Sequence, residues 1–355
     1  MNKLFFGGIH PQYNKEMSIK DTSFHSIIPK QVVIPLLQHI GAPCQPLVNV
    51  GDRVLRGQKI GDGEGLCVPV HASVSGTVVA IEPRPHVSGR EILSVVIDND
   101  LQDEVFPSAV NDKPLAELDN DEILHTIREA GIVGMGGAAF PGNVKAISAM
   151  GKVDTLIANA CECEPYITAD DSLLRSKPEQ VLEGMMILRH VLKPDRVVLA
   201  VEDNKAEAIK ILHGLHDRYP DIEIAVLPTR YPQGAEKQLI QSLTKREIAP
   251  GQLPVSVGCA VFNVSTYAAI YRAVRLGMPL TERIVTISGE AIAEPQNFIV
   301  RIGTSFHDLI EVAGGLNDKT ERVISGGPMM GFAQSDLSVP VVKATNSILC
   351  LLKDK

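Results

Sequence analysis

Residues 131–145 read Gly-Ile-Val-Gly-Met-Gly-Gly-Ala-Ala-Phe-Pro-Gly-Asn-Val-Lys, five glycines in fifteen positions followed by a cation. Residues 121–130 before them carry a helical pattern with apolar Ile123, Leu124 and Ile127, and residues 143–150 after them open a second helix. A glycine run that opens a helix presents backbone N–H groups at the positive end of a dipole, which suits a phosphate, and lets a flat ring approach the backbone. Glycine turns are also common punctuation. Lys145 favours the ligand reading, because a cation one helical turn in can reach a phosphate. Gly134-x-Gly136-x-x-Ala139 superficially fits the dinucleotide fingerprint, but that fingerprint follows a strand and this run follows a helix. The stretch therefore points to a flavin nucleotide outside the standard Rossmann pattern.

Downstream, short apolar runs at 154–158, 196–201 and 222–227 alternate with helical patterns at 172–192, 204–215 and 235–243. That alternation predicts a parallel sheet covered on both faces by helices. Ligands of such sheets sit beyond the carboxyl ends of the strands, so Asn159, Glu202 and residues 229–231 should converge near the glycine loop. The first strand runs into Asn159-Ala160-Cys161-Glu162-Cys163-Glu164-Pro165-Tyr166. An amide and two carboxylates there can accept ribose hydroxyls and flavin N–H groups. Asp170 and Asp171 read as caps of the next helix. Tyr231-Pro232-Gln233-Gly234-Ala235-Glu236-Lys237 is another strand-end loop opening a helix. In Val261-Phe262-Asn263-Val264-Ser265-Thr266, Asn263 and Thr266 can cap a helix or touch a ligand, and capping is the plainer reading. No metal site is expected: Cys161-x-Cys163 lacks a partner cluster, and His213 and His216 read as surface. Walker and Gly-x-Ser-x-Gly loops are absent, which argues against ATPase and hydrolase chemistry.

Outside this region the pattern changes. Residues 1–30 read as an irregular lead. Residues 38–98 break short β runs with Gly-Asp and Ser-Gly turns, which predicts a small sandwich or barrel. The pattern V-x-x-G-D-x-V-x-x-G-Q-x-I-G … V-S-G-T-V resembles biotinyl and lipoyl carrier domains, yet no lysine stands near the hairpin tip at Gly65, so the swinging arm is missing. A polar, proline-punctuated linker covers 101–118. Strands at 284–289 and 297–303 and a helix at 305–312, capped by Thr304 or Ser305 and ended by Gly314-Gly315, make a small β-grasp-like module. Ser325 to Gly331 is a second glycine turn, and the tail from Ser338 shows no closing element. The expected division is 1–112, 113–278, 279–335 and a tail 336–355.

The 355 residues suffice for two or three domains of ~150 residues each. With aromatics at 4% and no tryptophan, the core must be aliphatic. A net charge of −8 argues against nucleic-acid and anionic-lipid binding, though not against a local phosphate patch. Met1 to Gly8 is too short an apolar stretch for a secretory signal, and no run of ~18 apolar residues suggests a membrane span. The six cysteines are expected as free thiols in a reducing compartment.

The four clusters, in this order, resemble the FMN- and NADH-binding subunit of respiratory complex I. That family carries G-R-G-G-A-G-F-P and a lysine, N-A-D-E-S-E-P, Y-x-C-G-E-E and N-N-V-E-T. This chain has G-M-G-G-A-A-F-P with Lys145, N-A-C-E-C-E-P, Y-P-Q-G-A-E and F-N-V-S-T. With the carrier-like module, G-G-I-H-P and C-E-C-E-P, it is more similar to the C-subunit family of Rnf-type electron transport complexes, over essentially its whole length. The resemblance implies a Rossmann-like, parallel-sheet α/β domain for FMN and NADH, an N-terminal all-β barrel-sandwich hybrid and a C-terminal soluble-ligand-binding β-grasp (SLBB) domain. Carried over by position, Gly134, Gly136, Gly137 and Ala138 would line the flavin, with Lys145 toward its phosphate. Asn159 and Glu162 would bind flavin polar groups, and Phe140 and Glu164 would lie toward the nicotinamide nucleotide. Tyr231, Gly234 and Glu236 would sit at the flavin and NADH side, with Asn263 and Thr266 behind. Met135, Cys161, Ala235 and Phe262 stand where the family has polar residues.

The implied activity is that of an electron-entry subunit in which NADH reduces FMN, within a complex coupling electron transfer between NADH and ferredoxin to ion translocation. The implied place is peripheral, on the cytoplasmic side of the membrane, held by other subunits. The family's two 4Fe–4S clusters need C-x-x-C-x-x-C-x-x-x-C-P runs, and none occurs before Lys355, so they are expected only in a further domain. A soluble cobalamin reductase of the same family, and a scaffold that kept the fold without the flavin, are the alternatives.

Overall fold

A computed structural model describes residue 5 and residues 7–19 and 24–353; most of the Met1 to Gly8 opening lies outside the described residues. In chain order, β1 (His25–Ile27) precedes an all-β unit of β2 (Gln31–Pro35), β3 (Gln45–Pro46), β4 (Arg53–Val54), β5 (Lys59–Asp62), β6 (Val70–His71), β7 (Gly76–Pro85) and β8 (Glu91–Asn99). These strands form two small sheets, β2-β8-β7-β4 and β3-β5-β6. Alternation drives the sandwich: Val32, Ile34, Val54, Ile60, Val70, Val78, Val95 and Ile97 point inward into one aliphatic core. The β5–β6 hairpin carries the exposed Gly65 at its tip, in the left-handed region at φ +71.

The middle unit runs α1 (Asn120–Glu129), α2 (Gly142–Ala149), β9 (Thr155–Ala160), α3 (Ala169–Ser176), α4 (Pro178–Leu192), β10 (Arg196–Glu202), α5 (Ala206–Gly214), β11 (Ile222–Leu227), α6 (Glu236–Thr244), β12 (Cys259–Asn263) and α7 (Val264–Leu276). The sheet is parallel in the order β11-β10-β9-β12, with Asn159 in register with Ala200 on one side and Asn263 on the other. β9 and β10 are apolar almost throughout because helices cover both faces. Two of those helices approach closely: a Cβ on Gly184 of α4 would lie 2.0 Å from the Tyr267 carbonyl oxygen of α7.

One expected helix is two. The pattern over 172–192 breaks at Lys177, which leaves helical geometry (φ −138, ψ 48) before Pro178 at the first position of α4. The residue before a proline is pushed out of the helical region, and proline cannot donate back to the preceding turn. Nor do Asp170 and Asp171 cap. Thr168 holds that position without a side-chain cap bond, and Asp170 accepts from Asn263 Nδ2 at 2.6 Å and Ser265 Oγ at 2.7 Å.

The third unit comprises β13 (Glu282–Ser288), β14 (Gln296–Arg301), α8 (Phe306–Val312), β15 (Thr320–Ser325), β16 (Phe332–Gln334) and β17 (Ser347–Leu352). Its six-stranded sheet runs β1-β14-β13-β17-β15-β16. Two expectations are corrected here. The lead is not wholly irregular, since β1 adds an edge strand parallel to β14. The tail does close an element: β17 lies parallel to β13 and antiparallel to β15, at the centre of the sheet. Ser305, rather than Thr304, caps α8 by accepting from the Asp308 N–H.

Two buried polar side chains stitch the units together. Lys343 Nζ donates to the Pro69 and Gly131 carbonyls, both at 2.7 Å. Asn297 of β14 donates to the Ser18 carbonyl, Thr168 Oγ1 and Ser172 Oγ, and accepts from Thr286 Oγ1 at 2.7 Å. Among the described residues no helix is long and apolar enough to cross a membrane.

Candidate functional site

The glycine loop is a closed turn between α1 and α2. The Gly134 N–H donates to the Phe140 carbonyl at 2.8 Å, and the Ala139 N–H returns to the Gly134 carbonyl at 3.1 Å. From below, Thr266 Oγ1 accepts from the Met135 N–H at 2.9 Å, and the buried Arg283 guanidinium donates to the Met135 carbonyl at 3.3 Å. The Met135 side chain points into the core. Outside, Ile40 of the all-β unit donates its N–H to the Ala139 carbonyl at 3.0 Å. What remains is an exposed crest, Gly136-Gly137-Ala138, whose amides donate to no protein acceptor among the described residues. Gly137 takes φ +111, and nothing lies within 4 Å of where its Cβ would be. Gly136 packs on Asn263, 3.3 Å from the Cβ it lacks to the Asn263 Cβ.

Around the crest the strand ends meet as expected. Asn159, on β9, donates from Nδ2 to the Gly234 carbonyl at 2.8 Å and accepts the Cys161 N–H at 3.0 Å. A Cβ on Gly234 would lie 2.0 Å from the Cys161 carbonyl oxygen, so only glycine lets these two loops lie together. Its N–H donates to Cys163 Sγ at 3.3 Å. Lys145, on the first turn of α2, pairs with Glu236 on the first turn of α6 at 2.8 Å and lies over the Phe262 ring. Both partners are partly exposed, so an incoming phosphate would compete with Glu236 for the ammonium. Asn263 caps α7 by accepting the Ser265 N–H, the plainer of its two readings. Thr266 is buried beneath the loop, and Phe140 is half-buried at its far end.

The two carboxylates of the β9 loop part company. Glu162 turns inward: its Oε1 accepts the Asp170 N–H at 2.9 Å, and its Oε2 stops 4.0 Å from Lys205 Nζ. Neither of those last two atoms has a hydrogen-bond partner among the described residues. Beneath them lie Glu202 and Asp171, whose burial pushes their carboxyls up to about 7 and about 6. Asp170 is raised to about 6, chiefly by burial and then by the Glu162 charge. Burial likewise lowers Lys15 to about 8, and its Nζ donates to the carbonyls of Glu162 at 2.7 Å and Glu164 at 2.9 Å. Glu164 instead points toward the third unit, where the Met329 N–H donates to its Oε2 at 3.1 Å. Tyr231 stands near enough that the Glu164 charge adds to burial in raising its phenol. Its backbone pairs with Ile9 of the lead.

Sequence reasoning missed Lys15, Lys205 and Arg283. Only an isolated lysine in a segment with no periodicity marked the first. Met135, Cys161 and Phe262, which replace polar residues of the resembled family, are all buried core side chains here. A cleft lined in part by Met135, Ser265 and Arg283 lies beneath the glycine loop. The ion pair of Arg272 with Glu282 lines it, at the seam of the second and third units.

The donor set of the crest fits a flavin mononucleotide. Three exposed amides and a nearby ammonium suit its phosphate, and the Cβ-free space over Gly137 lets the nucleotide approach the backbone.

Comparison with known proteins bears on this geometry. Residues 127–272 match the model of the Nuo51 FMN-binding domain, residues 3–102 that of the RnfC barrel sandwich hybrid domain and residues 284–333 that of the SLBB domain. The chain is 45% identical over 352 residues to the C-subunit of the Na(+)-translocating ferredoxin:NAD(+) oxidoreductase complex of Acetobacterium woodii, covering 99% of this chain and 80% of that protein. It is 44% identical over 356 residues to the C-subunit of the proton-translocating ferredoxin:NAD(+) oxidoreductase complex of Clostridium ljungdahlii, covering 78% of that protein. Against the C-subunit of an ion-translocating oxidoreductase complex of Klebsiella pneumoniae it is 44% identical but spans only 46% of that protein. Among solved structures, an NAD+-reducing [NiFe]-hydrogenase in the H2-reduced state shares the fold, with a TM-score of 0.56 at 24% identity over 67% of this chain and 47% of that one.

Proposed function

The chain belongs to the C-subunit family of ion-translocating ferredoxin:NAD(+) oxidoreductase complexes, and from that premise we propose that its middle unit is the electron-entry site, where FMN on the 134–140 loop is reduced by NADH. The observation that carries the reading is the crest: three unengaged amides beside Lys145 at the carboxyl edge of a parallel sheet. Bound there, FMN would supply the hydride-accepting ring and the switch from two-electron to one-electron transfer.

In this proposal the chain's own residues bind and orient. The Gly136, Gly137 and Ala138 amides and Lys145 hold the phosphate, and Glu236 releases Lys145 to do so. Asn159 faces the polar edge of the ring with the inward-turned Glu162 bracing the loop behind it, while Gly134, Gly234, Asn263 and Thr266 fix the backbone that cradles it. Phe140, Glu164 and Tyr231 take the nicotinamide nucleotide. Ferredoxin and the translocated ion would be handled by other subunits of a membrane-associated complex, on which this chain sits peripherally.

The test is an equilibrium titration of the purified chain with FMN, read in the flavin absorbance band, followed by anaerobic NADH. Saturable binding with bleaching is expected. Binding without bleaching would overturn the NADH half of the proposal. No binding would favour a scaffold that kept only the fold. In a Glu164→Gln variant the flavin should stay bound while reduction by NADH weakens; loss of flavin there would show that Glu164 belongs to the flavin instead.

A further inference from the structure

Glu164 is gripped by two segments outside its own unit. Lys15, from the lead, donates to its carbonyl at 2.9 Å. The turn at 326–331 between β15 and β16 holds its side chain: the Met329 N–H donates to Oε2 at 3.1 Å. Gly327 lies flat against the same carboxylate. A Cβ there would meet Glu164 Oε2 at 2.3 Å, Cδ at 2.7 Å and Cβ at 3.0 Å. The turn is itself braced, since the Gly331 N–H donates to the Gly327 carbonyl at 2.9 Å. Glu164 Oε1 is buried without a partner among the described residues. Oε2 is thus fixed, with the Met330 amide also beside the carboxylate, while Oε1 makes no hydrogen bond of its own and lies near Tyr231. An acceptor held in this way suits a ligand hydroxyl or amide N–H.

We infer that the 326–331 turn of the β-grasp unit is a positioning element of the nucleotide site, in which bare Gly327 and the Met329 amide aim Glu164 Oε1 at the hydroxyls or carboxamide of a nicotinamide dinucleotide. This rests on Glu164 serving the nucleotide, as proposed above. The third unit then completes the site of the second rather than only following it in the chain. Gly327 acts through Glu164 and touches no ligand.

The test uses the full chain loaded with FMN and a Gly327→Ala variant. The added methyl displaces the head of a flexible side chain, so the fold should survive. The Kd for NAD+, by calorimetry, and the KM for NADH should each rise about tenfold, the loss of one charge-assisted hydrogen bond. FMN affinity and the rate at saturating NADH should stay within about twofold. In a Glu164→Ala background the same alanine should add nothing, because the two positions form one unit. Equal effects in both backgrounds, or wild-type NAD+ affinity in Gly327→Ala, would overturn the inference while leaving the proposed function standing. A wild-type chain whose flavin NADH does not reduce would overturn both. If Gly327→Ala does not fold, Gly327→Ala with Glu164→Ala removes the clash, and it must bind NAD+ as Glu164→Ala alone does.

Discussion

Gly137 shows how much of the site rests on a single backbone angle. At φ +111 an L side chain is strained by about 1–2 kcal/mol, and the space its Cβ would take is open. Gly151 takes the ordinary left-handed value of φ +65 over open space and lies in a turn away from the crest. It serves as a control. Alanine at either should cost stability, more at Gly137, while only Gly137→Ala should raise the FMN Kd by at least tenfold in the absorbance titration. Equal flavin binding by both variants would remove the crest from the site. Residues of this kind were legible in the sequence, because glycines and the carboxylates after a strand announce themselves by type and spacing. Lys15, Lys205 and Arg283 were not. Their burial is decided by which distant loop lands on them, and a lysine that donates to the carbonyls of Glu162 and Glu164 looks in sequence like any surface lysine.

At the scale of single elements, β6 carries a pH dependence. His71 is buried, and burial, followed by the charges of Lys343 and Lys59, pushes its imidazole down to about 3; a backbone hydrogen bond to Glu129 and the nearby Asp62 only partly oppose this. His39 is held down to about 4, again by burial first and then Lys343. The unfolded chain protonates these groups below about 6.5 and the folded chain refuses the proton, so their contribution is complete above that pH and is lost as pH falls. Between pH 7 and pH 5 His71 alone should remove ~2 kcal/mol of stability. A His71→Gln variant should flatten the Tm profile over that window, and an unchanged slope would mean that other groups govern it. Element boundaries were legible where period and punctuation agreed, as over Ile222–Leu227. They failed where one residue outweighed a long pattern: Pro178 splits an otherwise continuous helical face into α3 and α4. They failed also for β17, whose Ser-Ile-Leu-Cys-Leu-Leu run has no alternation, because a central strand is buried on both faces.

Across the whole molecule the units are joined by fully engaged buried polar groups rather than by a single greasy seam. Asn297 binds the lead through Ser18, the middle unit through Thr168 and Ser172, and its own sheet through Thr286. Asn297→Ala would strip the buried Ser18 carbonyl and Ser172 hydroxyl of this partner, while Thr168 and Thr286 keep other bonds, at a cost of about 3 kcal/mol. Calorimetry of the variant should resolve two transitions where the parent shows one; one transition at an unshifted midpoint would place the coupling elsewhere. This joining could not be read from sequence, since the partners of Asn297 lie as far as 279 positions away. The placement of β17 has a consequence for how the chain is made. The parallel sheet is complete once Asn263 has emerged from the ribosome, but the β-grasp sheet lacks its central strand until Leu352 follows. At translation rates of roughly 5–20 residues per second, that interval lasts several seconds. From the emergence of Ser288 until β17 follows, β13 offers nascent-chain chaperones an unpaired, apolar edge beside a flavin-type domain that has already folded.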